Sequence, residues 1–299
     1  MSGNLLHIHK TGKAGGRFAF PVLLFVIMVF FITAAFYGCG RHVIPFAGKK
    51  AGNYLVTTWC TAPQLVEPGN MPPAPGLADN TLRQVMRVSL GGKSLSLRLS
   101  NEFSSGPVEL NAVQIAVSAG GSKIDPATIK ELKFSGKSEV TINPGSTVSS
   151  DPVSFDLKPR SDIAVTIYFG AVPQDITGHP GSRTTSYILA GNSIMSADFP
   201  EAVTTDHWYF LSAVDVKAPA SSGAVAILGN SITDGRGSGT NRQNRWPDIL
   251  SEHLLRNSST ANVAVLNLGI GGNCVLRKCL GPAAVERFDR DILGQNGVR

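Results

Sequence analysis

Ser231 is the residue whose surroundings point most directly to chemistry. It lies in Gly229-Asn230-Ser231-Ile232-Thr233-Asp234-Gly235, directly after the apolar run Ala224-Val225-Ala226-Ile227-Leu228, and Ala218 to Gly223 upstream has the composition of a loop. An apolar run of that length between turn signals predicts a buried strand of a parallel sheet. The serine then stands at the strand's carboxyl end, where open α/β sheets build their sites. Small residues permit a tight turn, so the Ser231 amide can address the same space as its hydroxyl. A hydroxyl nucleophile beside an oxyanion-binding amide is equipment for acyl transfer. Gly, Asn, Ser and Asp also make ordinary turns, so this stretch gains weight only beside a second one.

The second stretch is Asn267-Leu268-Gly269-Ile270-Gly271-Gly272-Asn273, which follows the apolar run Val263-Ala264-Val265-Leu266. Between the two, Trp246 to Arg256 carries apolar residues at 246, 249, 250 and 254. That spacing predicts a helix with an apolar stripe, and Pro247 suits its first turn. Strand, glycine loop, helix, strand, glycine loop is a βαβ unit, with both loops at one sheet edge.

The pair of stretches resembles the first two signature blocks of the SGNH (GDSL-type) hydrolases, serine esterases on a flavodoxin-like α/β fold. The resemblance implies that Ser231 is the nucleophile and one oxyanion donor. It also implies that the Gly272 amide is a second donor, with Asn230, Asp234 and Asn273 as supporting polar residues. The run Ala284-Val285-Glu286-Arg287-Phe288-Asp289-Arg290-Asp291 is similar to a secreted subfamily that carries a β-domain before its hydrolase domain. Asn230 stands where that family usually has aspartate. Asparagine keeps the hydrogen-bonding shape without the charge, so the expected effect is on the turn rather than on the nucleophile.

An acyl-transfer serine needs a base and a group that orients it. The family takes these from a late Asp-x-x-His block, and a third oxyanion donor from a Gly-x-Asn-Asp block. Neither block follows Gly272, so the expectation is an incomplete hydrolase domain without the catalytic histidine and aspartate. Three histidines are candidate substitutes. His253 falls on the flank of the expected helix, His207 precedes Trp208-Tyr209-Phe210, and His179 lies in a Gly-Pro-rich loop. Each reads as a loop, surface or helix-flank residue rather than a base.

The elements that must position these residues begin with a polar start, residues 1–17, followed by 21 uncharged residues from Phe18 to Gly38. That length crosses a bilayer and exceeds a secretory core of about 7–15 residues. The expectation is a membrane anchor with the bulk of the chain outside the cytoplasm, periplasmic or extracellular. A cleaved signal, or lipidation at Cys39, is the alternative. Residues 1–40 are thus a cytoplasmic stub and anchor or signal segment, and 41–52 a linker.

From 53 to 217 short alternating runs separated by turn residues predict an all-β sandwich, jelly-roll-like. They include Leu82–Leu90 and Leu95–Leu99, with Gly91-Gly92 read as a hairpin turn between them. The Pro-rich stretch Pro68 to Gly76 is a loop. Trp59, Trp208 and Tyr209 are either sugar-stacking platforms or, more in keeping with aromatics in strands, core. Residues 218–299 are the partial hydrolase domain.

Composition limits the function classes. With 42% hydrophobic and 16% charged residues and 32 glycines, the 299-residue chain reads as β-rich and globular rather than disordered. The net charge of +6 is spread without like-charge blocks, which gives no support to nucleic-acid binding. Cys274 and Cys279 form either a local disulfide beside Gly272 or two free thiols. Their spacing offers too few ligands for zinc, and no metal or cofactor is expected. The leading expectation is an exported esterase acting on acetyl or short acyl esters, with acylated polysaccharide as a candidate substrate. The alternative is an envelope β-sandwich that binds glycan or a partner and carries an inactive hydrolase remnant.

Overall fold

The computed structural model describes residues 54–299. The apolar segment 18–38, Cys39 and the linker 41–52, on which the anchor and lipidation expectations fall, lie outside those residues. Among the described residues no helix is long and apolar enough to cross a membrane.

Strands dominate. In chain order they are β1 Tyr54–Cys60, β2 Gln64–Leu65, β3 Thr81–Arg87, β4 Gly92–Ser100, β5 Val108–Gly120, β6 Lys123–Ile124, β7 Lys130–Glu131, β8 Val140–Ile142, β9 Thr147–Ser149, β10 Val153–Leu157, β11 Asp162–Phe169, β12 Thr177–His179, β13 Ser186–Leu189, β14 Val203–Thr205, β15 Trp208–Tyr209, β16 Leu211–Ala218, β17 Gly223–Gly229 and β18 Val263–Gly269. One antiparallel sheet runs β1-β16-β4-β10, with β9 also on β4. A second runs β14-β13-β3-β11-β5-β6, with β7 and β8 also on β5. The sheets are curled, consistent with a β-sandwich. A small sheet, β15-β12-β2, and the parallel pair β17-β18 complete the set.

Period two sets the burial. Along β10, Phe155 and Leu157 turn inward while Ser154 and Asp156 face solvent. β3 is covered on both faces, so its polar residues need partners within the protein. Arg83 donates to Thr166 Oγ1 at 2.9 Å and to the Ser122 and Ser196 carbonyl oxygens at 2.6 Å each. Gln84 donates to the Tyr209 carbonyl at 3.0 Å.

The Gly91-Gly92 hairpin does not form. β3 and β4 belong to different sheets, β3 between β13 and β11, β4 between β16 and β10. A two-residue hairpin turn needs positive φ, and neither glycine adopts it. The segment instead crosses from one sheet to the other and is fastened to β1. The Ser89 amide donates to the Thr58 carbonyl at 2.9 Å, and the Leu90 amide to Thr58 Oγ1 at 2.7 Å. Alternation alone cannot say which sheet a strand joins, and here it paired neighbours in sequence that are apart in space.

Trp59 and Trp208 are buried edge-to-face, with ring centroids 4.9 Å apart, and Tyr209 is fully buried with its hydroxyl on the Asn70 carbonyl at 2.8 Å. These aromatics are core. The same contiguous core takes in Val56 and Leu97 from the sandwich and Ala224, Leu266, Leu268 and Ile292 from the C-terminal part. It runs across the turn Pro219–Ser222, which is closed by a 2.9 Å bond between its ends. Ser89 stitches the two parts together: its hydroxyl donates to the Val265 carbonyl at 2.8 Å and accepts from the Val265 amide at 3.2 Å. The tail does likewise, the Thr57 amide donating to the Asn296 carbonyl at 2.9 Å.

The helix spans Trp246–Arg256, as its spacing predicts, but its buried stripe differs. Pro247 and Ser251 are the buried residues, whereas Trp246 and Ile249 are exposed. The helix packs on β18, and the two-stranded parallel pair covers only one side of it.

Candidate active site

β17 and β18 pair in parallel register from Gly223↔Val263 to Gly229↔Gly269, so both glycine loops leave the same sheet edge. Ser231 opens a single helical turn, Ser231–Asp234, and is half-buried. Asn230 caps that turn, its side-chain oxygen accepting from the Ile232 amide at 3.2 Å. The cap needs an acceptor oxygen rather than a charge, which asparagine supplies. Asn267, at the end of β18, donates to the Thr233 carbonyl at 2.8 Å and ties the turn to the second strand.

The two loops touch through Asp234. A Cβ at Gly269 would overlap the Asp234 backbone nitrogen, and one at Gly271 would sit 3.4 Å from Asp234 Oδ2. Gly272 is exposed in the loop beyond, in the left-handed region at φ 68°. A side chain there would be strained, and its Cβ would meet Leu280 Cδ1 at 2.7 Å.

Asn273 is a scaffold for this loop. Its amide donates to the Leu280 and Pro282 carbonyls at 3.0 and 2.7 Å, and its oxygen faces Arg287. Cys274 and Cys279 are disulfide-bonded, with Cα atoms 5.6 Å apart, so the segment that Asn273 holds is also closed covalently. Arg287 is fully buried beneath both loops. It donates to the Leu268 carbonyl at 2.7 Å, the Gly229 carbonyl at 3.1 Å and Asp291 Oδ2 at 2.6 Å. Burial pulls this guanidinium below its ordinary value, with the Asp291 bond acting the other way. Sequence reasoning gave Arg287 no role. Its spacing from Asp291, one helical turn on, is the local signal that could have flagged it.

His179 departs furthest from expectation. It is not a loop or surface residue but the buried end of β12, and its Nε2 lies 3.0 Å from Asp234 Oδ1. Its Nδ1 faces the Ala62 carbonyl at 2.9 Å. With both ring nitrogens engaged, it cannot take a proton from Ser231. His207 Nδ1 bonds to the Pro180 carbonyl at 2.6 Å, and His253 is exposed in the last turn of the helix. No local pattern links His179 to Asp234, which are 55 positions apart.

Two hollows flank the region. One, behind His179 and Asp234 and bordered by Trp59, Arg87, Arg160 and Arg245, has a volume of about 20 Å³. That is water-sized and too small for a substrate. The other, beside the disulfide loop, measures about 370 Å³ and is lined by Leu65, Phe103, Cys279, Leu280 and Pro282. It has the dimensions of a small-ligand site and reaches the Gly272 loop through Leu280. Among the described residues no group of His, Cys, Asp and Glu side chains is arranged to hold a metal ion.

No protein-family model matches this chain. No curated protein matches it either.

Proposed function

We propose that this chain carries the nucleophile and two oxyanion amides of an exported serine ester hydrolase of the SGNH type, acting on acetyl or short acyl esters. The supporting observation is the parallel register of β17 and β18, which brings the Ser231 turn and the Gly269–Gly272 loop together at one sheet edge. The flavodoxin-like assignment rests on that pair, and the jelly-roll assignment on the two curled antiparallel sheets.

In this reading Ser231 Oγ attacks the ester carbonyl carbon and gives up its proton to a base. The carbonyl oxygen gains negative charge opposite the Ser231 and Gly272 amides, where one donor is worth about 3–4 kcal/mol. The carbon–oxygen bond to the alcohol then breaks, the alcohol leaves with a proton, and water releases the acid from the serine. His179 has both ring nitrogens engaged, so in this reading the base is another group. The groove beside Leu280, next to the Gly272 loop, is the hollow in which this reading seats a small acyl or alcohol group. Trp59, Trp208 and Tyr209 are buried, so these three rings offer no stacking platform to a sugar.

The test is hydrolysis of an aryl acetate by the full-length gene product. The wild-type protein releases acetate and Ser231→Ala abolishes the release. Equal turnover by the variant overturns the assignment.

A further inference from the structure

Resting on the hydrolase reading, we infer that His179 is a positioning residue for the serine site: although it belongs to the β-rich part of the chain, it fixes, through Asp234, the turn that begins at Ser231. The Ala62 carbonyl can only accept, so His179 Nδ1 carries a proton. At the other nitrogen an imidazole meets a carboxylate oxygen at 3.0 Å. That contact is a hydrogen bond only with one further proton between the two groups, on the ring or on the carboxyl. His179 is thus anchored to the β2 side of the molecule by one nitrogen and grips Asp234 with the other.

Asp234 is where a grip has most effect on Ser231. Its amide closes the turn on the Asn230 carbonyl at 2.9 Å, and the next two amides, Gly235 and Arg236, both donate to the Ser231 carbonyl, at 3.0 and 2.7 Å. The carboxylate is confined as well as bonded. A Cβ at Gly181, two residues beyond His179, would overlap it, and Gly271 lies against its other oxygen. That other oxygen, Oδ2, is buried without a hydrogen-bond partner among the described residues. A buried carboxylate oxygen left so is costly, and the bond to His179 is what offsets it.

The ring itself is held. Trp208 stacks on it with centroids 5.9 Å apart at 28°, and the Arg245 guanidinium lies over that indole at 5.7 Å. Arg245 in turn is neutralised by Asp248 at 2.7 Å. His179 touches no reacting atom in this arrangement. It sets where the turn, and with it the hydroxyl and amide of Ser231, comes to rest.

The experiment measures aryl acetate turnover and amide hydrogen exchange at residues 231–236 in the full-length protein. His179→Ala and Asp234→Ala each lower kcat about tenfold or more with KM within about threefold, as expected for lost transition-state positioning. The same variants speed exchange of the Gly235 and Arg236 amides by about tenfold. The double variant is no worse than either single one, because the pair acts as a unit. Asp234→Asn, whose amide can donate to a neutral imidazole within the same shape, recovers kcat to within about threefold of wild type. A His179→Ala protein with unchanged kcat and exchange, or losses that multiply in the double variant, overturns the proposal. If His179→Ala does not fold, Asp234→Ala against Asp234→Asn decides, and equal kcat and exchange in the two defeats it. A wild-type protein without Ser231-dependent turnover defeats the hydrolase reading alone, and the exchange rates then decide whether the His179 grip exists.

Discussion

Arg287 donates twice to the side-chain oxygen of Asn273, from Nε at 3.2 Å and from Nη2 at 2.9 Å. Because Asn273 holds the disulfide loop and Arg287 also holds the ends of β17 and β18, this contact joins the Gly272 loop to the strands on which the site is built. A planar guanidinium is suited to such a post, since its donors diverge at fixed angles toward several acceptors.

Arg287→Met is therefore expected to be severe. The Asp291 carboxylate would keep only its 2.6 Å bond to Arg290, the Leu268 carbonyl and the Asn273 side-chain oxygen would lose the Arg287 donor, and the Gly229 carbonyl would keep only the Ile270 amide at 3.1 Å. Removing one partner of a buried ion pair costs about 3–5 kcal/mol. Urea unfolding of the variant reads this directly, and Arg287→Lys should recover less than half, because an ammonium cannot span the same set. A loss under about 1 kcal/mol, the value of an exposed pair, would contradict the account.

Two glycines of the second loop should differ sharply on substitution. Gly269→Ala drives a methyl into the Asp234 backbone, which cannot move aside without unwinding the Ser231 turn. Overpacking of this kind costs about 1–3 kcal/mol. Gly271→Ala places its methyl 3.4 Å from Asp234 Oδ2, an ordinary contact, and should change stability by less than about 0.5 kcal/mol. Thermal unfolding of the two single variants side by side makes the comparison.

Alkaline pH should weaken the fold through Tyr209. Burial pushes its phenol up to about 12, with the Thr205 hydroxyl acting in the opposite direction. Below the ordinary phenol value near 10 the group is neutral in both states, so the native state bears no penalty. As pH rises from about 10 to 12 only the unfolded chain ionises, and stability falls by about 2–3 kcal/mol. Tyr209→Phe should flatten that part of the stability curve measured by denaturant titration. A remaining slope at lower pH is expected from Cys60, a buried thiol that burial also raises.

What the sequence made legible was local. The runs 224–228 and 263–266 are β17 and β18, the spacing from 246 to 256 is the helix, and the glycine loops leave one edge. These features depend on periodicity and turn chemistry within a few residues, where such reasoning is strong. The sheet to which β4 belongs, the partner of Asp234 and the role of Arg287 all depend on contacts between distant segments. Gly91-Gly92 looked like a hairpin turn because its flanks alternate, but alternation records which face is buried and not which strand is beside it. His179 looked like a loop residue because Gly178, Pro180 and Gly181 surround it. Those glycines are there for close packing: a Cβ at 178 would lie 2.7 Å from the Trp208 carbonyl oxygen.

The interior shared by the sandwich and the parallel strands bears on how this molecule melts and how it can be altered. With Val56, Leu97, Leu266 and Ile292 in one apolar continuum, calorimetry should record one endotherm rather than two for this part of the chain. Cutting it after Lys217 would expose oily surface on both products instead of liberating two stable pieces. Substitutions deep between the curled sheets should therefore lower the melting temperature of the parallel strands as well, without touching either glycine loop.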